Sequence, residues 1–146
     1  MAISQAAGTE IVRTHMFESI RNVETTLIIG EQYHIYTVLS VVICCVAGTG
    51  TGLLKLKGWD CLEGSTAQDI YLVQTNLVDN ETFVFNDKFS FAGFEPTGMS
   101  GVLSTSAEQT ALAAQGGSAV QSMNYVCATS SQYHDVTVTF IDQNNS

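Results

Sequence analysis

The stretch Tyr33 to Val46 reads Tyr-His-Ile-Tyr-Thr-Val-Leu-Ser-Val-Val-Ile-Cys-Cys-Val and contains no Asp, Glu, Lys or Arg. A second stretch, His134 to Ile141, alternates Val136, Val138 and Phe140 with Thr137 and Thr139. Side chains of an extended chain point to opposite faces in turn. A period of two in β-branched and aromatic residues therefore predicts strands. No segment of similar length carries a helical period. The expected fold is all-β: a single antiparallel β-sandwich, jelly-roll-like or immunoglobulin-like, of about eight strands.

Residues 1–10 are small and polar and read as a flexible N-terminal arm, leaving 11–146 as one sandwich domain. Ile11 to Met16 suits a short edge strand, and Val23, Thr25, Leu27 and Ile29 alternate up to a turn at Gly30-Glu31. Gly48-Thr-Gly50-Thr-Gly52 separates the long apolar run from Leu53 to Trp59 and predicts a hairpin. Asn76 to Asn80 is a second turn signal, and Ser130-Ser131-Gln132 divides a final pair of strands. The segment 98–118 is rich in Ser, Ala, Gln and Gly. Thr105-Ser-Ala-Glu108 fits a capping box, so at most one short helix is expected, near 106–114.

Charged residues make up 13% of the chain, about half the usual ~25%. Ser, Thr, Asn and Gln fill roughly a third of the positions instead. A lone soluble domain normally covers itself with Lys and Glu, so this composition suits repeated contact between subunits. The formal net charge of −9, with bases only at Arg13, Arg21, Lys55, Lys57 and Lys88, argues against nucleic acid, whose backbone demands clustered cations. Lys55-Leu-Lys57 reads as a solvated rim. The N-terminus lacks the basic and apolar regions of a secretory signal, and the longest apolar stretch falls short of the ~20 residues of a membrane span. The expectation is a protein made in the cytoplasm. Its cysteines, Cys44, Cys45, Cys61 and Cys127, then read as small buried apolar groups in a reducing compartment.

Candidate chemistry is sparse. Gly48-Thr-Gly-Thr-Gly52 follows an apolar strand, as dinucleotide and phosphate loops do. Its spacing is GxGxG rather than GxGxxG, however, and no helix follows to present its N-terminus. Gly98-Met-Ser100-Gly101 misses the serine-nucleophile elbow by one position. His15, His34 and His134 offer bases without a recognisable nucleophile. Asp79, Asn80, Glu81 and Asp87 gather oxygens around one turn, where turn-forming residues explain them as well as a calcium ion does. No catalytic, metal or cofactor residue is assigned, and no small-molecule substrate is implied. Trp59, Phe91 and Phe94 flank loops, and aromatics there either anchor a protein interface, stack on sugars, or plug the ends of the sandwich.

The strand Tyr36 to Val46, its Gly/Thr turn, Leu53-Leu-Lys-Leu-Lys57, Ile70-Tyr-Leu-Val73, Glu81-Thr-Phe-Val-Phe85 and the ending Met123 to Thr129 with Val136 to Phe140 together resemble the small β-sandwich virion proteins of tailed bacteriophages. The likeness covers residues 33 to 142. It departs at Cys44-Cys45, where such proteins often carry Asn, and at the longer 98–118 segment. The resemblance implies a capsid decoration or cement protein, not an enzyme. It would be located in the virion, often as a homotrimer, with the major capsid protein and copies of itself as partners. A tail, neck or fibre component is the alternative. A carbohydrate-binding module is the second alternative, motivated by Trp59 and the amide-rich loops.

Overall fold

The computed structural model describes residues 5–59, 67–96, 105–113 and 118–145. Among these lie eleven strands: β1 (Glu10–Ile20), β2 (Thr25–Ile29), β3 (His34–Ala47), β4 (Gly50–Trp59), β5 (Ala67–Leu77), β6 (Thr82–Phe85), β7 (Phe89–Ala92), β8 (Phe94–Pro96), β9 (Ser118–Val120), β10 (Ser122–Cys127) and β11 (Tyr133–Asn144). The one helix among them, α1, spans Ser106–Ala113. Its start is the reciprocal capping box: Thr105 Oγ1 accepts from Glu108 N, and Glu108 Oε2 accepts from Thr105 N, both at 3.2 Å.

Two antiparallel sheets pack face to face. In sheet A the order is β1-β11-β3-β6, with β7 continuing along β3 beyond β6. In sheet B it is β2-β10-β4-β5. Strands β8 and β9 form a separate small ribbon. With β6 and β7 counted as one position, the chain pairs first with last, second with second-to-last, and so on inward to β4 with β5. That nesting, rolled into two sheets, is a jelly roll. It selects the jelly-roll expectation over the immunoglobulin one.

The topology corrects the hairpin expected at Gly48 and shows what the other two turns join. Gly48 does not join a hairpin, because β3 pairs in sheet A and β4 in sheet B. The Asn76–Asn80 turn likewise carries the chain from β5 in sheet B to β6 in sheet A, and Ser130–Gln132 carries it from β10 to β11. Each of these turns arches between layers. Local turn chemistry is the same for an arch and a hairpin, because both need a tight reversal.

The core is the interleaved inner faces. Val38, Val41, Ile43, Leu54, Met123, Tyr125, Val136, Val138 and Phe140 are wholly buried. In β3 the inward phase runs His34, Tyr36, Val38 and then Val41, Ile43, Cys45, because a register shift falls between Val38 and Ser40. A bulge of this kind adds one residue and moves the alternation to the other parity. Of the expected N-terminal arm, residues 5–9 are tied to β11. Gln5 Nε2 donates to the Thr9 and Asp142 carbonyls at 2.7 and 3.0 Å, and Gly8 N donates to the Asn144 carbonyl at 2.7 Å. Glu10 already belongs to β1.

Candidate functional site

The glycine motif serves packing. Gly48 has φ +81° at the arch, and a Cβ there would lie 2.3 Å from the Ser131 carbonyl oxygen. A Cβ at Gly52 would lie 1.8 Å from the Tyr125 hydroxyl. Tyr125 thus fills the space that this glycine vacates, and no phosphate cradle is needed to explain the motif.

Each histidine is held by the fold. His15 Nδ1 meets the Leu27 carbonyl at 2.8 Å. His34 lies between two carboxylates, with Nδ1 2.6 Å from Asp142 and Nε2 3.4 Å from Glu31, while Arg13 takes the other Asp142 oxygen at 3.0 Å. This network borders a groove of about 450 Å³ between β1 and β2, lined among others by Arg13, His15, Phe17, Glu31, Tyr36 and Phe140. His134 is fully buried, shares a 2.6 Å hydrogen bond with the Tyr125 hydroxyl and leaves Nε2 without a partner. Burial lowers its proton affinity and keeps it neutral.

Cys44, Cys45 and Cys127 are free thiols. Burial pushes Cys127 up to about 11 and raises Cys45, so neither is a thiolate nucleophile at neutral pH. The acidic turn is closed by backbone bonds, with Asn80 N donating to the Cys45 carbonyl and Glu81 N to the Val78 carbonyl. Among the described residues no group of three or more His, Cys, Asp and Glu is placed to hold a metal ion. Ser100 and Cys61 lie outside the described residues.

The aromatic trio separates. Phe91 points inward and packs on Tyr36, ring centroids 5.3 Å apart. Trp59 and Phe94 are half-buried, and each neighbours Val120. Phe94 pairs with Val120 in the β8–β9 ribbon, and Trp59 shares with it a shallow depression of about 350 Å³ that also holds Gln68, Asp69 and Ser122.

The two outward faces of the sandwich differ in chemistry. On sheet B, Lys55 Nζ reaches Glu24 at 3.3 Å and Asp69 at 3.4 Å, Lys57 also pairs with Glu24, and Lys55 lies over the Tyr71 ring. The Lys55 side chain is only 13% exposed, which corrects the solvated-rim reading. Burial alone would lower its proton affinity, but the two carboxylates outweigh that and raise it. Beside them Asn124 ties Thr26 and Ser122 together.

On sheet A the register places three rows side by side across the strands. They are Val12–Ile141–Thr37–Ser90, Thr14–Thr139–Ser40 and Met16–Thr137–Val42–Val84. No charged side chain stands in them. Val12, Met16 and Val84 are 67%, 77% and 52% exposed. Acids stand around these rows: Glu10 and Glu18 toward the ends of β1, Asp135 in the next row, Glu81 beside β6 and Asp87 between β6 and β7. Composition signalled a surface of this kind, but only the strand register locates it.

No family model and no curated protein matches this sequence. Among solved structures, a protein of Bacillus endospore appendages, which form a novel family of disulfide-linked pili, is similar at a TM-score of 0.45 and 9% identity, over 100% of both chains. A chain of the T13 IBDV viral particle is similar at a TM-score of 0.40 and 10% identity. That match covers 97% of this chain and 36% of the other.

Proposed function

We propose that this chain is a virion structural protein, and specifically a decoration protein that docks on the assembled head of a tailed bacteriophage. The observation that carries the reading is the outward face of sheet A: rich in Thr and Val, and without charge in its central rows. Exposed apolar area of this extent on a small domain is a mark of protein contact. Most of the bases are held within the chain, since Arg13, Lys55 and Lys57 are ion-paired and Arg21 stacks on Tyr133 with the guanidinium 4.0 Å from the ring centre.

A subunit that binds only the assembled lattice stabilises it by mass action, about 2.7 kcal/mol per site at a hundredfold excess over Kd. The major capsid protein and further copies of this chain are the partners in this reading, and no reaction is involved. A tail, neck or fibre component would use the same face.

The test is to add the purified chain to heads of the phage that encodes it, stripped of accessory proteins. Saturable binding to heads but not to free capsid subunits, with a higher temperature of head disruption, is the expected result. Heads that neither bind the chain nor gain stability would end the decoration reading. A glycan reading rests on Trp59 and its polar-edged depression, and a glycan array without a hit removes it.

A further inference from the structure

We propose that the outward face of sheet A is an isologous contact: two copies of this chain pack there face to face, sheet against sheet. The inference deepens the structural reading above and rests on it. What it adds is the occupant of that face, which is a second copy; the head is then met by the surface the pair leaves outside.

The argument starts from area. Four strands spaced about 4.8 Å apart, each about eleven residues long at about 3.3 Å per residue, present about 700 Å². Two copies would bury about 1,400 Å², inside the range of about 1,200–2,000 Å² for stable protein interfaces. The chemistry is self-complementary. The three central rows hold only methyl-bearing and hydroxyl side chains. Hydroxyls both donate and accept, so a threonine face satisfies a threonine face. No charge in these rows needs an opposite charge from a partner, and fully buried interface centres are depleted of charge for that reason. Sheet B differs in charge: its outward face also exposes Ile29 and Tyr71, but the ion pairs of Glu24, Lys55, Lys57 and Asp69 stand across it.

The rim fixes the sign of the salt effect. Glu10, Glu18, Glu81 and Asp87 surround the rows and outnumber the exposed base among them, Lys88, so two copies bring a net acidic periphery toward its like. Screening lengths shrink from about 30 Å at 0.01 M salt to about 8 Å at 0.15 M. Added salt therefore strengthens this contact, whereas contacts held by ion pairs weaken. A twofold contact gives a dimer rather than the trimer implied by the resemblance.

Sedimentation velocity of the full chain with reductant, over a range of protein concentration and from 10 to 500 mM NaCl (about the span from weak to strong screening), tests this. Expected are a monomer–dimer equilibrium and a Kd that falls about tenfold or more as salt rises. Thr137→Glu at the centre of the face should weaken the dimer about a hundredfold. Gln74→Glu, the same charge change on the outward face of sheet B, should leave it alone. Met16→Glu, at a side chain already 77% exposed, covers the case in which Thr137→Glu fails to fold. A monomer at every concentration overturns the inference, as does a trimer, a dimer weakened by salt, or equal sensitivity to Gln74→Glu. A chain that stays monomeric yet binds heads overturns the pairing alone. A salt-strengthened dimer that ignores heads keeps the pairing and overturns decoration.

Discussion

Sheet A and sheet B share one core and differ in what they show to the outside. On sheet B two lysines and two carboxylates share partners, and the most buried of them, Lys55, lies among Glu24, Asp69 and Tyr71. On sheet A the corresponding rows hold Thr, Val, Ser, Ile and Met, with no charged side chain in them. A chain with only 13% charged residues has not thinned its charge evenly. It gathers most of its bases into ion pairs, on sheet B and around Asp142, and leaves the central rows of sheet A without charge. The lesson is that low charge in a sequence locates no surface until strand register says which side chains stand together.

Where charge is paired inside the fold, its removal should hurt most where burial is deepest. Asp142→Ala strips the shared acceptor from Arg13 and His34 at a residue 1% exposed, and should cost about 3–5 kcal/mol in urea unfolding. A loss below about 1 kcal/mol would mean that the network behaves like surface charge, and the contrast would collapse.

Glu24→Gln should cost about 1 kcal/mol, because it removes the carboxylate shared by Lys55 and Lys57 near the surface. Burial tends to raise the proton affinity of Glu24, but the two lysines outweigh it and hold the carboxyl below its ordinary value. The native state then binds this proton less readily than the unfolded chain. Its contribution is present above the ordinary carboxylate range and is lost as pH falls through the native value. A pH series of unfolding midpoints should show a shallower acid limb in Glu24→Gln.

His134 works in the same direction at higher pH. Its native affinity is lowered by burial, so the unfolded chain takes the proton first and stability declines as pH drops below about 6.5. His134→Gln should flatten that slope between neutral and mildly acidic pH in thermal melts; an unchanged slope would assign it to other groups.

Smallest of all, Thr139→Val in the middle row of sheet A should change monomer stability by less than about 0.5 kcal/mol. Its one side-chain hydrogen bond there is the exposed 3.3 Å contact with Thr14. A large loss in the isolated monomer would show this face to be structural in its own right.

Much of the fold was legible because strands write their period into the chain. Val136, Val138 and Phe140 alternate without interruption, and Thr105 and Glu108 mark the helix start through side chains that bond neighbouring backbone. Partnership was not legible. Gly48, Asn80 and Ser131 reverse the chain, yet nothing in a turn says whether the next strand returns to the same sheet or crosses to the other. The pairing of β1 with β11 joins residues more than a hundred positions apart, beyond any local signal. The half-buried state of Lys55 was hidden for the same reason, because Glu24 reaches it from a different strand connection. Phe91 and Phe94 looked alike in sequence, and only the break between β7 and β8 turns one into the core and the other toward the ribbon.

The position of β11 in sheet A has a consequence for synthesis. The last strand in chain order sits between β1 and β3 and supplies the backbone partners of both. Until β11 has been made, β3, the longest strand described, lacks a neighbour on that side. The nascent chain thus carries an open, β-prone template until β11 emerges, and sheet A closes only then. Dependence on such distant pairings makes folding slow, on the order of milliseconds to seconds. Crowded nascent chains of this kind are prone to stick to one another before completion. Yield in the cell should therefore respond to chaperone supply and to growth temperature more than the stability of the finished molecule would suggest.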